Sequence, residues 1–426
     1  MPDLFIFFRN LIYLFVGLMW VKYYLFLVIS PFYPIREKLR RIKVAKLNKS
    51  QNSNTPYNPK VSVIIPAWNE EVGILKTIKS VLSNNYDNIE IVVVNDGSTD
   101  NSDKVIKDFI KYLKLNKIPG YDSIQYIYKE NGGKGPALNT GIEHASGDII
   151  LTMDADSAIE YNGIENLVKY YTDPTIMAVV GNVKVANNNT IIGLLQQLEY
   201  YFGFYFKRAY SMMGAEYIFG GACASFRKEV FEKLGLFDET NKTEDIEMSM
   251  RTRYAGMRCI YAEDVVAYTE GAATAFGLIN QRVRWKKGRF DTFIKYKSMF
   301  FSTHDNHNAL LSFFILPLAM IAEAQLLIEP LAISILITYS IISSDYLSLS
   351  LGIFFIFQTY LVTCIFNNSK PEFGRLISFV YTWPLFYILV WIEFLSLAKS
   401  ILMAIKGEEI EWQSWKRQGI GNEINI

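Results

Sequence analysis

Asp154 and Asp156 stand two residues apart where the apolar run Ile149–Met153 gives way to polar residues. If that run is a strand, the two carboxylates leave its end in alternating directions. They can then hold a hard divalent cation, with diphosphate oxygens completing the octahedron. Upstream, Gly132-Gly133-Lys134-Gly135 opens a helical stretch, Pro136–Ala145. The glycines permit close backbone approach, the helix start favours anions, and Lys134 adds a point charge. The Gly-x4-Gly-Lys-Ser/Thr spacing of a Walker loop is absent. A cation and a lysine beside a sheet suggest a nucleoside diphosphate, as donor or leaving group.

Two later segments carry acids and bases. Thr243-Glu244-Asp245 starts a helix, and alone it is ordinary capping with acids in the first turn. Gln281-Arg282-Val283-Arg284-Trp285 lies on an amphipathic segment just before a hydrophobic region, and alone it reads as a membrane-proximal basic-aromatic helix. A single Asp-x-Asp is likewise more often a plain strand-to-helix turn. Recurrence shifts the balance. Ile65 leads into Pro66-Ala67-Trp68-Asn69-Glu70, and Val94 into Asn95-Asp96-Gly97-Ser98-Thr99-Asp100, so three strand ends carry acids or amides.

The elements that must position these residues have a clear rhythm. Val61–Ile65 and Ile89–Val94 are β-branched runs, while Glu71–Ser83 and Asp100–Leu113 have helical spacing. Ser123–Tyr128 and Asp148–Met153 repeat the strand pattern. Such alternation predicts an α/β fold with a mostly parallel sheet, helices on both faces and ligands at the carboxyl ends of its strands.

Composition narrows the class. Among 426 residues, 43 Lys and Arg face 42 Asp and Glu, so a nucleic-acid partner is not expected. Half the residues are hydrophobic, which excludes disorder as the main state. Cys223, Cys259 and Cys364 share no close spacing, and His304 and His307 fit no metal-ligand pattern.

The apolar excess sits at the two ends. Leu11–Phe32 is long enough to cross a bilayer despite Lys22, and is longer than an ordinary signal-peptide core. The cations Arg36, Lys38, Arg40, Arg41, Lys43, Lys46 and Lys49 follow at once and should stay cytoplasmic. The domain reading is a membrane anchor over 1–35, a basic linker over 36–59 and a catalytic domain over 60–275. Interfacial amphipathic helices follow over 276–322, about three membrane helices over 323–405, and a tail over 406–426. The expected spans are 324–343 and the uncharged blocks 346–369 and 376–392, with Leu310–Ile321 interfacial.

Seven motifs in this order resemble the membrane-embedded family 2 glycosyltransferases: cellulose, chitin and hyaluronan synthases and the poly-N-acetylglucosamine synthases of bacterial biofilms. They are Pro66–Glu70, Val94–Asp100, Gly132–Asn139, Asp154–Asp156, Gly220–Cys223, Thr243–Asp245 and Gln281–Trp285. The resemblance implies a GT-A-like domain that transfers a sugar from a UDP-sugar with inversion. Pro66, Ala67, Asn69, Glu70 and Asp96 would hold the uracil and ribose, and Lys134 would approach the diphosphate. Asp156, with Asp154 beside it, would ligate Mg2+ or Mn2+. Gly221 and Cys223 would line the acceptor end, Asp245 would be the general base with Glu244 beside it, and Gln281, Arg284 and Trp285 would contact diphosphate and acceptor sugar.

Lys286, Lys287 and Arg289 replace residues that are small or neutral in the family, so the acceptor or lipid surface is expected to differ. The partners implied are a UDP-sugar, a glycan or lipid acceptor and membrane lipid. A processive poly-N-acetylglucosamine-like synthase, passing its product through the membrane, fits the layout best. Single addition to a lipid, as by ceramide-type glucosyltransferases, is the alternative within enzymes. A transporter or inactive scaffold is the alternative outside them. The few charges in the apolar regions, Lys22, Glu329, Glu393 and Lys399, argue against an ion-coupled transporter.

This reading sets a topology test. Ser98→Cys should resist an impermeant thiol reagent in intact cells, and Ser344→Cys, in the short Ser343–Tyr346 turn, should react. Labelling at position 98 above the unsubstituted background would contradict the orientation.

Overall fold

The computed structural model describes residues 2–50, 57–187, 189–366, 373–408 and 419. The chain opens with two helices, α1 (Pro2–Ile29) and α2 (Tyr33–Ser50). The catalytic region begins β1 (Val61–Ala67), α3 (Ile74–Leu82), β2 (Ile89–Asp96), α4 (Ser102–Leu115), β3 (Ile124–Lys129), α5 (Lys134–His144) and β4 (Ile149–Thr152). It continues through β5 (Ser157–Ile159), α6 (Gly163–Tyr171), β6 (Ile176–Val185), α7 (Ile191–Met212), β7 (Ala224–Arg227), α8 (Lys228–Leu234), α9 (Glu244–Tyr254) and β8 (Arg258–Thr269). The C-terminal helices are α10 (Ala275–Lys295), α11 (Leu316–Leu326), α12 (Glu329–Ser343), α13 (Tyr346–Phe366) and α14 (Phe373–Lys406).

One eight-stranded sheet runs β3-β2-β1-β4-β7-β6-β8-β5. β1 pairs in parallel with β2 (Ile65 opposite Val93) and with β4, and β2 with β3, which confirms the parallel half read from the sequence. The order 3-2-1-4 puts a topological switch point between β1 and β4, where a crevice opens at the carboxyl ends. β7 then runs antiparallel to β4, with Ala224 opposite Thr152. That reversal brings the turn before β7, Gly220–Cys223, to the same edge as the Asp154–Asp156 turn. The far half is mixed, with β6 parallel to β8 and β5 antiparallel to it. Apolar residues of the strands point to both faces. One set packs with Ile74, Ile78, Ile106, Leu167 and Tyr171, the other with Leu138, Ile142, Phe231 and Met248. The sheet is therefore buried on both sides, as parallel sheets require.

Two segments differ from the sequence reading. The stretch expected as a basic linker is helical to Ser50, and 51–56 lie outside the described residues. Its cations are used locally: Arg41 reaches Asp264 at 2.8 Å, Arg36 donates to the Ser211 carbonyl, and Arg40 sits over the Tyr170 ring. The expected span 324–343 divides at Leu327–Ile328, where α11 and α12 meet with a bend of 56°. The last expected span, 376–392, lies within α14, of which Pro384–Lys406, like Leu349–Phe366 of α13, is long and apolar enough to cross a membrane. Glu393 and Lys399, two of the charges in the apolar regions, face α10, where Lys399 donates to Asn280 at 3.0 Å. Of the tail, only Lys406–Glu408 and Gly419 are described.

α9 and α10 pack unusually closely because Gly288 has no side chain. A Cβ there would lie 2.0 Å from Thr243 Oγ1 and 2.5 Å from its methyl group. Gly288→Ala gains about 1 kcal/mol of helix propensity, but overpacking of this kind costs about 1–3 kcal/mol. With overlap this severe the strain wins. The variant should unfold earlier in detergent than wild type, and adding Thr243→Gly should restore most of the loss. An unchanged midpoint in Gly288→Ala would refute this packing account.

Candidate active site

The loops after β1 and β2 are stitched to one another. Asn69, at φ +55°, donates its backbone N–H to Ser98 Oγ at 3.0 Å and accepts from the Thr99 N–H at 2.8 Å. Glu70 donates its backbone N–H to Ser102 Oγ at 2.8 Å. Asp96, at the end of β2, is buried and spends both oxygens on the next turn. It accepts from Lys129 Nζ at 2.7 Å, the Gly132 N–H at 3.0 Å and the Gly133 N–H at 2.7 Å. Gly133 adopts φ +98°, a left-handed conformation that glycine takes without strain. Asp96 therefore fixes the glycine turn that delivers Lys134 to the first turn of α5. Pro66, Asn69 and Glu70 line the loop at the carboxyl end of β1, while the Ala67 side chain joins the core.

Lys134 is the centre of the site. Its ammonium lies 2.6 Å from Asp154 Oδ1 and 3.3 Å from Glu244 Oε1. Burial works against the charge, but Asp154, Glu244 and Asp245 outweigh it and hold the lysine well above its ordinary range. Glu244 is buried, and that burial raises its pKa; Lys134 and Arg284 oppose the shift and Asp245 adds to it. Asp245 accepts the Gly221 N–H at 2.9 Å through Oδ2. Gly221 is where the parts converge: a Cβ there would lie 2.7 Å from Lys134 Nζ and 3.5 Å from both Asp154 Oδ1 and Asp245 Oδ2. Lys134, Asp154, Gly221 and Asp245 are each half-buried, so the cluster is open to a ligand.

Asp156 is buried beside the start of α3, where Gly73 lies against the Asp156 backbone, and it accepts from Thr269 Oγ1 at 3.4 Å. Among the described residues, no group of three or more His, Cys, Asp or Glu could hold a metal ion. The donor set nevertheless fits Mg2+ or Mn2+, which bind through one or two carboxylates plus substrate phosphates. Asp154 already pairs with a cation, the Lys134 ammonium, in this structure.

Of the last motif, Arg284 acts electrostatically on Glu244, and the Arg282 guanidinium lies 4.1 Å from the centre of the Trp285 ring. Gln281 Oε1 is buried without a hydrogen-bond partner. Cys223 departs from its expected place at the acceptor end. Its side chain is in the core against Gly181, and burial pushes its thiol up to about 12, so only its backbone belongs to the turn. Sequence reasoning missed Lys129 and Tyr200. The phenol of Tyr200, on α7, is close enough to Asp154 and Asp156 to feel their charge, and only its aromatic-rich helix hinted at a role.

Residues 62–235 match Glycosyl transferase family 2, and residues 149–395 match Glycosyl transferase family group 2. The chain belongs to the family 2 glycosyltransferases. It is 28% identical over 431 residues to the poly-beta-1,6-N-acetyl-D-glucosamine synthase of Staphylococcus epidermidis, covering 96% of this chain and 97% of that protein. It is 32% identical over 260 residues to the synthase of the same name from Staphylococcus aureus (strain COL), where the alignment spans 60% of each chain. A mannosyltransferase from Pyrobaculum calidifontis, solved with GDP-Man and Mn2+, superposes with a TM-score of 0.56 at 18% identity. It covers 94% of this chain and all of its own, and it supports the GT-A-like fold.

Asp245 is not the cap of α9. Thr243 holds that position, and Asp245 instead contacts Gly221. Asn at 245 can keep that contact but cannot accept a proton from a hydroxyl. Asp245→Asn should retain nucleotide binding while turnover falls by about two to four orders of magnitude. Wild-type turnover in this variant would leave Asp245 with only its structural bonds to the Gly221 and Ile246 N–H groups.

Proposed function

We propose that the protein transfers N-acetylglucosamine from UDP-N-acetylglucosamine to the end of a growing poly-β-1,6-N-acetylglucosamine chain, inverting the anomeric centre. The observation that carries this reading is the convergence of Lys134, Asp154 and Asp245 on Gly221. That cluster pairs a cationic diphosphate site with a carboxylate able to act as a base. The substrate class comes from the Staphylococcus epidermidis synthase, which resembles the chain along nearly its whole length.

The acceptor hydroxyl attacks the anomeric carbon from the face opposite the diphosphate. The new O–C1 bond forms as the C1–O bond to phosphate breaks, and the hydroxyl proton passes to Asp245. UDP leaves with the bonding pair, and Lys134 and Arg284 stabilise the charge that builds on it, usually the larger electrostatic contribution. A divalent cation held by Asp154 and Asp156 would neutralise part of the same charge. No covalent intermediate is needed, because a single displacement inverts. Pro66, Asn69 and Glu70 hold the nucleotide at the end of β1, and Gln281 offers its buried carbonyl to a sugar hydroxyl. The catalytic region faces the cytoplasm, and the product leaves through the C-terminal helices.

The test is a panel of radiolabelled UDP-sugars with purified membranes, sizing the products on a gel. UDP-N-acetylglucosamine should give UDP and a long polymer, abolished by chelator and restored by Mg2+ or Mn2+ in wild type but not in Asp156→Ala. Single-sugar lipid products would replace the polymer reading, and full activity in excess chelator would remove the metal.

A further inference from the structure

α10 carries two interleaved stripes of side chains. Gln281, Arg284, Trp285 and Gly288 recur at three- and four-residue spacing, with Arg284 acting on Glu244 and Gly288 against Thr243. One residue along, Arg282, Lys286 and Arg289 form the neighbouring stripe, and each ends on an acid of another helix. Arg282 pairs with Glu199 of α7 and, at 3.2 Å, with Glu393 of α14. Lys286 lies 2.8 Å from Glu393 and 2.8 Å from Glu323 of α11, and Arg289 lies 2.6 Å from Glu323. Arg282 and Lys286 are buried.

We infer that Glu323 and Glu393 are positioning residues for sugar transfer: they fix the height and rotation of α10 and, through Arg282, the ring of Trp285. The inference rests on the transferase reading above. Stability alone is a poor explanation for these pairs. Taking charges out of water offsets most of their attraction, and apolar replacements of equal volume often serve as well. Acids in helices this apolar are themselves costly. What the pairs add is register. Each acid grips two cations one turn apart, Glu323 at positions 286 and 289, and Glu393 at 282 and 286. A shift of α10 by one residue would move it about 1.5 Å and turn it by about 100°, breaking both grips. The tight approach of Gly288 to Thr243 passes such a shift to the start of α9, where Glu244 and Asp245 sit. Lys286 and Arg289, departures from the family pattern, thus face the hydrophobic C-terminal helices rather than the acceptor.

The test compares wild type, Glu393→Gln and the double variant Glu323→Met with Arg289→Met, all as full-length protein in detergent. The double variant removes a whole pair, so it should fold even if the buried charge imbalance left by Glu393→Gln prevents folding. UDP affinity should stay within about twofold of wild type, because the nucleotide loop after β1 is held by its own bonds to Ser98, Thr99 and Ser102. Turnover per UDP-binding site should fall about 10- to 100-fold, the scale of a misplacement near 1 Å. Hydrogen exchange at amides 281–289 should quicken about tenfold or more, while β1 and β2 stay protected. Wild-type turnover per binding site in the folded variants, or unchanged exchange, would overturn the inference. A wild-type protein that releases no UDP from any UDP-sugar would sink the transferase reading instead, and the exchange rates would still decide whether these acids hold α10.

Discussion

A lysine ammonium set among three carboxylates organises this protein. Lys134 can remain charged in a half-buried crevice only because Asp154, Glu244 and Asp245 surround it, and these acids can crowd together only because Lys134 lies between them. The four come from three elements: Lys134 from the first turn of α5, Asp154 from the end of β4, and Glu244 and Asp245 from the start of α9. The fold is the means by which those three ends meet. The parallel order of β1, β2 and β4 creates the crevice, and Asp96 clamps the glycine turn that aims Lys134 into it. The reversal at β7 brings Gly221 within reach of Lys134, Asp154 and Asp245. A cluster with one cation among several acids is poised for an incoming cation and an incoming diphosphate, each satisfying what the other leaves over.

The hydrophobic C-terminal helices are joined to this centre by contacts of unusual closeness. α14 lies along α10 with Glu393, Ser396 and Lys399 all directed at it. α10 in turn meets α9 where Gly288 leaves no space beside Thr243. Farther along α10, Glu247 in the first turn of α9 is fully buried and accepts from Tyr296 at 2.6 Å and Lys295 at 2.7 Å, fastening the end of α10 to the start of α9. Chemistry at the sheet edge and packing in the apolar region are therefore parts of one rigid arrangement.

Much of this was legible in the sequence, for identifiable reasons. The four parallel strands announce themselves as β-branched runs, and their ends carry the polar motifs because a strand's carboxyl end is where a parallel sheet exposes them. Asp154 and Lys134 were named from type and spacing and Asp245 from the family resemblance, and the structure brings them together. The far strands β5 to β8 were not legible, because their pairing depends on long-range register rather than local alternation. Cys223 and Ala67 share motifs with site residues, yet their side chains alternate inward to the core. The linker was misread because a cationic run looks solvated until Asp264, Tyr170 and the Ser211 carbonyl are seen to receive it. Glu393 and Lys399 in an apolar run were equally opaque, because a charge in sequence does not reveal its partner, here α10.

The central claim is that the Lys134–Asp154–Asp245 centre is where the donor's diphosphate binds. An electron-cryomicroscopy map of the protein with UDP and Mn2+ tests it most directly. The diphosphate should lie against Lys134, the cation should be bounded by Asp156 and Asp154, and the uracil should sit in the loop that follows β1. Nucleotide density elsewhere, with the Lys134–Asp154 pair intact and no ligand beside Gly221, would contradict it.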